Sequence, residues 1–183
     1  LNTLPDSCIY AKEIAEEMGI NAVILSSFLE GESRDAGTFF ASIARESQAY
    51  GNPFKPPYVI LSSGETTTQI LDNSVIEGHG GPGQELTLSF ALAAKKTKGA
   101  CMLSIDSEGT DGTAPVAGGI CDSTSFDAAA EKGIDIHHAL RTHSCYEALS
   151  EIGDAVFTGN TGTNLCDFNV LYIPAVPEEE ESK

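Results

Sequence analysis

The chain is predicted to be an α/β layered sandwich, with a mostly parallel or mixed sheet flanked by helices. Two observations carry this. Short apolar runs bounded by turn residues occur at "NAVILSS", "YVILSS", "ACMLSID" and "FNVLYIPAV", and longer segments with helical apolar spacing lie between them. A third observation is size: 183 residues with 41% hydrophobic content can bury one substantial core.

Taken in order, "PDSCIYAKEIAEEMG" opens with Pro5 and Asp6 at a helix start, carries Ile9, Ile14 and Met18 on one face, and stops at Gly19. "NAVILSS" follows as a short buried strand. In "GESRDAGTFFASIARESQAYG", Ser33 can cap a second helix that ends before Gly51. "NPFKPP" breaks the pattern, "YVILSS" is the second strand, and an edge strand is expected near "TTTQIL". "GPGQELTLSFALAAKK" reads as an apolar helix and "ACMLSID" as a third strand. "SFDAAAEKG" and "IDIHHALRTHSCYEALSEIG" read as short helices, and "FNVLYIPAV" closes the sheet. These elements make one domain over residues 1–176, a leading helix-strand-helix segment (1–56) and a motif-bearing part (57–176), followed by an acidic tail (177–183).

The formal charge of -17 disfavours nucleic acid and anionic membrane surfaces as partners. No apolar run reaches the length of a membrane span, and neither a signal nor a transit peptide is read from the opening "LNTLPDSCIYA". Five cysteines without a CxxC pair suit a reduced, cytoplasmic setting, and their spacing does not suggest a protein metal site.

Four loops beside these elements are candidates for chemistry. "SSGETTT" places Gly64, Glu65 and Thr66 at a strand end. "GHGGPGQE" leads into a helix, so N–H groups at Gly81, Gly83, Gln84 and Glu85 would face an anion, with His79 and Gly80 beside them. "SIDSEGTDGTAPVAGG" puts Asp106, Thr110, Asp111 and Gly112 at another strand end. "TGNTGTNLCD" holds enough Gly, Thr and Asn for the N–H groups of Gly159, Gly162, Thr163 and Asn164 to curl into an anion-binding nest, closed by an acid. Taken singly, Glu65 reads equally well as a solvated acid, Asp111 as a type I turn residue, and the last loop as a decorated turn. "GHGGPGQE" fits neither the Walker nor the dinucleotide spacing. None of the ten lysines and arginines lies in any of the four loops. Phosphoryl transfer would therefore need its positive charge from a metal, from a base folded in from elsewhere, or from another domain. Of the histidines, His137, His138 and His143 read as structural, whereas His79 could supply a proton or a charge.

"SSGETTT", "GHGGPGQEL", "GTDGTAPVAGG" and "TGNTGTNLCDFNVLYI", in this order, resemble the C-terminal MOFRL domain of the type 2 glycerate kinase family, some of whose members also carry a hydroxypyruvate reductase label. The resemblance implies transfer of the ATP γ-phosphoryl group to D-glycerate, giving 2-phosphoglycerate, with ATP and Mg²⁺. The cleft would be shared with a larger N-terminal domain of the same enzyme that lies outside this chain, so the isolated fragment is expected to be inactive. A homo-oligomer is left open. Carried over onto this sequence, Glu65, Asp111 and Asn164 stand at catalytic places. Gly64, Thr66, His79, Gly80, Gly81, Gly83, Gln84, Thr110, Gly112, Gly162 and Thr163 stand at substrate or phosphate contacts. Two departures are visible: Pro82 where many relatives have arginine, and Ser63 where the first glycine of a "GGE" motif is usual. The alternatives are a hydroxypyruvate reductase and a non-catalytic metabolite-binding domain.

Overall fold

In the computed structural model, residues 4–71 and 75–176 are described; the acidic tail 177–183 lies outside them. The order is α1 (Leu4–Glu17), β1 (Ala22–Glu32), α2 (Ser33–Tyr50), β2 (Tyr58–Thr67), α3 (Pro82–Ala93), β3 (Cys101–Asp106), β4 (Gly118–Asp122), α4 (Ser125–Glu131), α5 (Ile136–Arg141), α6 (Cys145–Ile152), β5 (Ala155–Val156) and β6 (Asp167–Ile173). The strands form one six-stranded sheet in the order β1-β2-β6-β3-β4-β5. Only β1 and β2 pair in parallel, and every other pairing is antiparallel. The sheet is therefore mixed, and the mostly parallel alternative does not hold. β4, with two glycines and an aspartate in five residues, and the two-residue β5 lie below what apolar periodicity can register.

α2 and α3 cover one face of the sheet, packing Phe40, Ala44, Leu86 and Phe90 on Tyr58, Ile60, Met102, Leu171 and Ile173. α4, α5 and α6 extend this layer around the other side of α3, through Leu88, Cys121, Ile136 and Leu149. Gly37 sets the spacing of α2 on α3, since a Cβ there would lie 2.2 Å from the Leu86 carbonyl oxygen. On the opposite face α1 rests on Ala22, Val59 and Leu61 through Cys8, Ala11 and Ala15. Its small residues face the sheet because they let the helix approach closely, and the expected face of Ile9, Ile14 and Met18 is instead exposed.

Two further expectations change. "SSGETTT" is not a loop: β2 runs through Gly64 and Glu65 to Thr67, paired with β1 as far as Glu32, so no separate edge strand forms near "TTTQIL". Ser33 is the first residue of α2 rather than its cap, and its hydroxyl donates to the Thr67 carbonyl at 2.7 Å. Gly51 ends α2 in the left-handed conformation, as its position predicts. All five cysteines are unpaired. No helix among the described residues is long and apolar enough to cross a membrane.

Candidate active site

Register brings the motif segments to one end of the sheet. Asp167, the first residue of β6, lies opposite Gly64 of β2 on one side and Asp106, the last residue of β3, on the other. β4 begins beside Ile105 at the same level. At this end the segments form two neighbouring sites, a cleft and an acidic rim.

The cleft is built on the start of α3. Gly81 is the N-cap residue and has no side chain to cap with, while Pro82 takes the first helical position that suits proline. Asp111 supplies the missing cap from another segment. Its carboxylate accepts from the backbone N–H of Gly83 (3.2 Å) and Gln84 (2.9 Å) and from the Gln84 side-chain amide (2.9 Å). Burial pushes its pKa up, against the pull of the Gln84 and Gly83 hydrogen bonds, with Asp106 adding repulsion. The residue is 1% exposed. It sits at a predicted site but behind the cleft wall, with both oxygens occupied by α3, so it positions the helix start instead of facing a ligand. The N–H groups of Gly83 and Gln84, expected to face an anion, already have this one.

The two glycine-rich segments are laced together directly. Thr113 N–H donates to the Gly80 carbonyl at 2.9 Å, and the Thr113 hydroxyl accepts from Gly80 N–H at 3.2 Å. A Cβ on Gly112, whose φ is +62°, would lie 2.3 Å from the Gly80 carbonyl oxygen. Glycine serves here for chain-on-chain contact.

Gly80, Gly81, Pro82, Gly112 and Thr113 line a cleft of about 300 Å³, closed by Thr68, Ile70, Ile76, Glu85 and His143. The buried Thr68 hydroxyl has no protein partner among the described residues. Behind the cleft wall lies an ion-pair network. Arg34 Nε from α2 donates to Glu85 Oε2 at 2.6 Å, and His143 Nδ1 lies 2.7 Å from Glu85 Oε1. Burial alone would lower the Arg34 pKa, but its hydrogen bond to Glu85 and the charges of Glu85 and Glu32 outweigh it and leave it raised. His79 also lines the cleft, yet its ring nitrogen Nδ1 is turned to Glu147 of α6 at 2.8 Å.

The acidic rim lies on the other side. Alternation along β2 puts Glu65 on the face of Val59 and Leu61, opposite Thr66, so it does not line the cleft. Cys166 sits among Glu65, Asp167, Asp106 and Glu108; burial first, then these four charges, raise its thiol pKa. Segment 158–166 docks on 107–109: Thr161 N–H donates to the Glu108 carbonyl at 3.1 Å, and the Asn164 amide donates to the Glu108 carboxylate. Thr110 lies exposed between rim and cleft and lines neither. Two of the four N–H groups expected in an anion nest are already taken: Asn160 Oδ1 accepts from Gly162 at 2.8 Å and Thr161 Oγ1 from Thr163 at 3.3 Å, in local turns.

Sequence reasoning missed Arg34, His143 and the role of Asp167. Asp167 accepts from the N–H and the hydroxyl of Thr66, at 3.1 and 3.3 Å. Burial, opposed by the Thr66 N–H and reinforced by Asp111 and Asp106, holds its pKa at about 7. The acid closing "TGNTGTNLCD" was its visible signal. Arg34 reaches α3 from α2 and pairs there with Glu85.

Residues 58–167 match the MOFRL family. The chain belongs to the MOFRL family. It is 43% identical over 159 residues to the glycerate 2-kinase of Pyrococcus horikoshii, covering 87% of this chain and 35% of that protein. It is 38% identical over 163 residues to an Agrobacterium vitis protein carrying a hydroxypyruvate reductase name, covering 89% of this chain and 42% of that one. The crystal structure of Thermotoga maritima glycerate kinase superposes with a TM-score of 0.89 at 35% identity, covering 94% of this chain and 41% of that structure. The chain thus spans between 35% and 42% of the length of these three relatives.

Proposed function

We propose that this chain is the MOFRL portion of a glycerate 2-kinase, which moves the ATP γ-phosphoryl group to D-glycerate at the cleft and rim described above. The observation that carries the reading is the joining of "GHGGPG" and "GTDGT" into one cleft beside an acidic rim, in a chain whose relatives include a named glycerate 2-kinase. A cleft of about 300 Å³ suits a small hydroxy acid, and Ile70, Ile76 and Pro82 give it an apolar side.

Among the described residues no group of three or more His, Cys, Asp or Glu side chains is placed to hold a metal ion, and Glu65 lies on the opposite face of the sheet from Asp106. Mg²⁺ for the transfer would arrive with the nucleotide, held by phosphate and water and by no more than one or two carboxylates of this chain. When bound, Mg²⁺ would neutralise charge on the transferring phosphoryl group. Within the chain, Asp111 holds the α3 start rigid, Asn164 fixes the Glu108 carboxylate at the rim, and Arg34 pairs with Glu85 beside the cleft. The remaining cations that phosphoryl transfer needs would come from the N-terminal part of the full-length enzyme.

The test is an assay of the full-length protein with ATP, Mg²⁺ and D-glycerate, following ADP release, beside an assay of NAD(P)H oxidation by hydroxypyruvate. Glycerate-dependent ADP release is expected. NAD(P)H oxidation without ADP release would replace the reading with a reductase.

A further inference from the structure

We propose that His143 is the group that takes the hydroxyl proton of the acceptor bound in the cleft, with Glu85 and Arg34 as its positioning residues; this rests on the kinase reading above. Four observations meet at this ring. It lines the cleft. Its Nδ1 lies 2.7 Å from Glu85 Oε1, and Nε2 has no protein partner among the described residues. Glu85 is 1% exposed and is itself fixed by Arg34 at 2.6 Å. The backbone of His143 has φ +53°, a left-handed conformation uncommon outside glycine, in the connection between α5 and α6.

Two contacts at Nδ1 call for opposite tautomers, because Glu85 Oε1 at 2.7 Å can only accept and Arg34 Nη2 at 3.0 Å can only donate. In the proposed step the proton sits on Nδ1, at the shorter contact to Glu85, which leaves the Nε2 lone pair without a protein partner among the described residues. A base oriented by a carboxylate that also steadies the imidazolium is the arrangement proton transfer calls for.

In the step, the acceptor oxygen forms its bond to the γ-phosphorus while the bond from that phosphorus to the ADP oxygen breaks, its electron pair leaving with ADP. The hydroxyl proton passes to Nε2 and from there to water. Other titratable and charged groups near the ring are Arg34 from α2, Glu85 from α3, Cys145 from α6, Asp111 behind α3, and the His79–Glu147 pair across the cleft.

The test uses the full-length protein and His143→Asn. Asparagine tolerates the left-handed backbone and can still donate to Glu85, but cannot take up a proton. The expected result is a fall in kcat of about a hundredfold or more, a glycerate KM within about threefold of wild type, and loss of the acid limb of the kcat–pH profile. Retention of kcat within about fivefold, or an unchanged acid limb, overturns the inference and leaves the kinase reading standing. Absence of glycerate-dependent turnover in the wild type overturns both. If the variant does not fold, ¹⁵N NMR of the wild-type imidazole decides: an unprotonated Nε2 that shifts on adding D-glycerate supports the proposal, and an Nε2–H tautomer or an unmoved signal overturns it.

Discussion

Asp167→Asn should make the domain more stable at alkaline pH. The carboxyl titrates at about 7 in the folded protein against an ordinary 3.8, because burial between β2 and β3 disfavours its charge. The folded state therefore holds this proton more tightly than the unfolded chain. Stability from this group is fully present below 3.8, is lost as pH rises towards 7, and stays lost above it. The gap corresponds to about 4 kcal/mol. Asparagine has nearly the same volume and keeps an oxygen to accept from Thr66 N–H and its hydroxyl, so the variant should recover about 2–4 kcal/mol at pH 8 and about nothing at pH 4. Urea unfolding of wild type and variant at both pH values reads this difference, and the subtraction removes the contribution of every other acid. A variant no more stable than wild type at pH 8, or one stabilised equally at pH 4, would refute the reasoning.

Asp111→Ala should cost about 2–4 kcal/mol by urea unfolding, because it leaves the N–H groups of Gly83 and Gln84 without their buried acceptor at the α3 start. Gly37→Ala should lower stability by about 1–3 kcal/mol in thermal melting, since its Cβ would press on the Leu86 carbonyl. By moving α2 off α3 it should also loosen the Arg34–Glu85 pair, seen as reduced glycerate turnover in the full-length enzyme.

The layers of the fold were legible because "YVIL", "ACML" and "FNVLYI" are apolar runs of strand length and α2 and α3 carry clear helical patterns. The path of β2 was not. "GETT" reads as a turn, yet Gly64 is a strand residue whose glycine is required by β1, where a Cβ would lie 2.2 Å from the Leu29 carbonyl oxygen. The α1 face was misread for a similar reason, as close packing selected Cys8, Ala11 and Ala15 over larger side chains. At the site, Asp111 and the "GHGGPG" segment were visible as motifs, but the partner of each was not. Arg34 and His143 lie 109 residues apart and meet only because α2 packs along α3. No local pattern marks a pairing of that range. The segment "TGNTGTNLCD" was legible in composition alone, and whether its N–H groups face outward or one another is decided by the turns that Asn160 and Thr161 form.

In the proposed reaction the C2 hydroxyl of D-glycerate receives the γ-phosphoryl group at this cleft. ³¹P NMR of the full-length protein incubated with ATP, Mg²⁺ and D-glycerate tests it most directly, because the product signal reports both the transfer and the oxygen that received it. A phosphomonoester signal of 2-phosphoglycerate is expected to grow as ADP appears, and to be absent when glycerate is omitted. ATP that persists unchanged beside glycerate, or a signal of 3-phosphoglycerate as the first product, would contradict it.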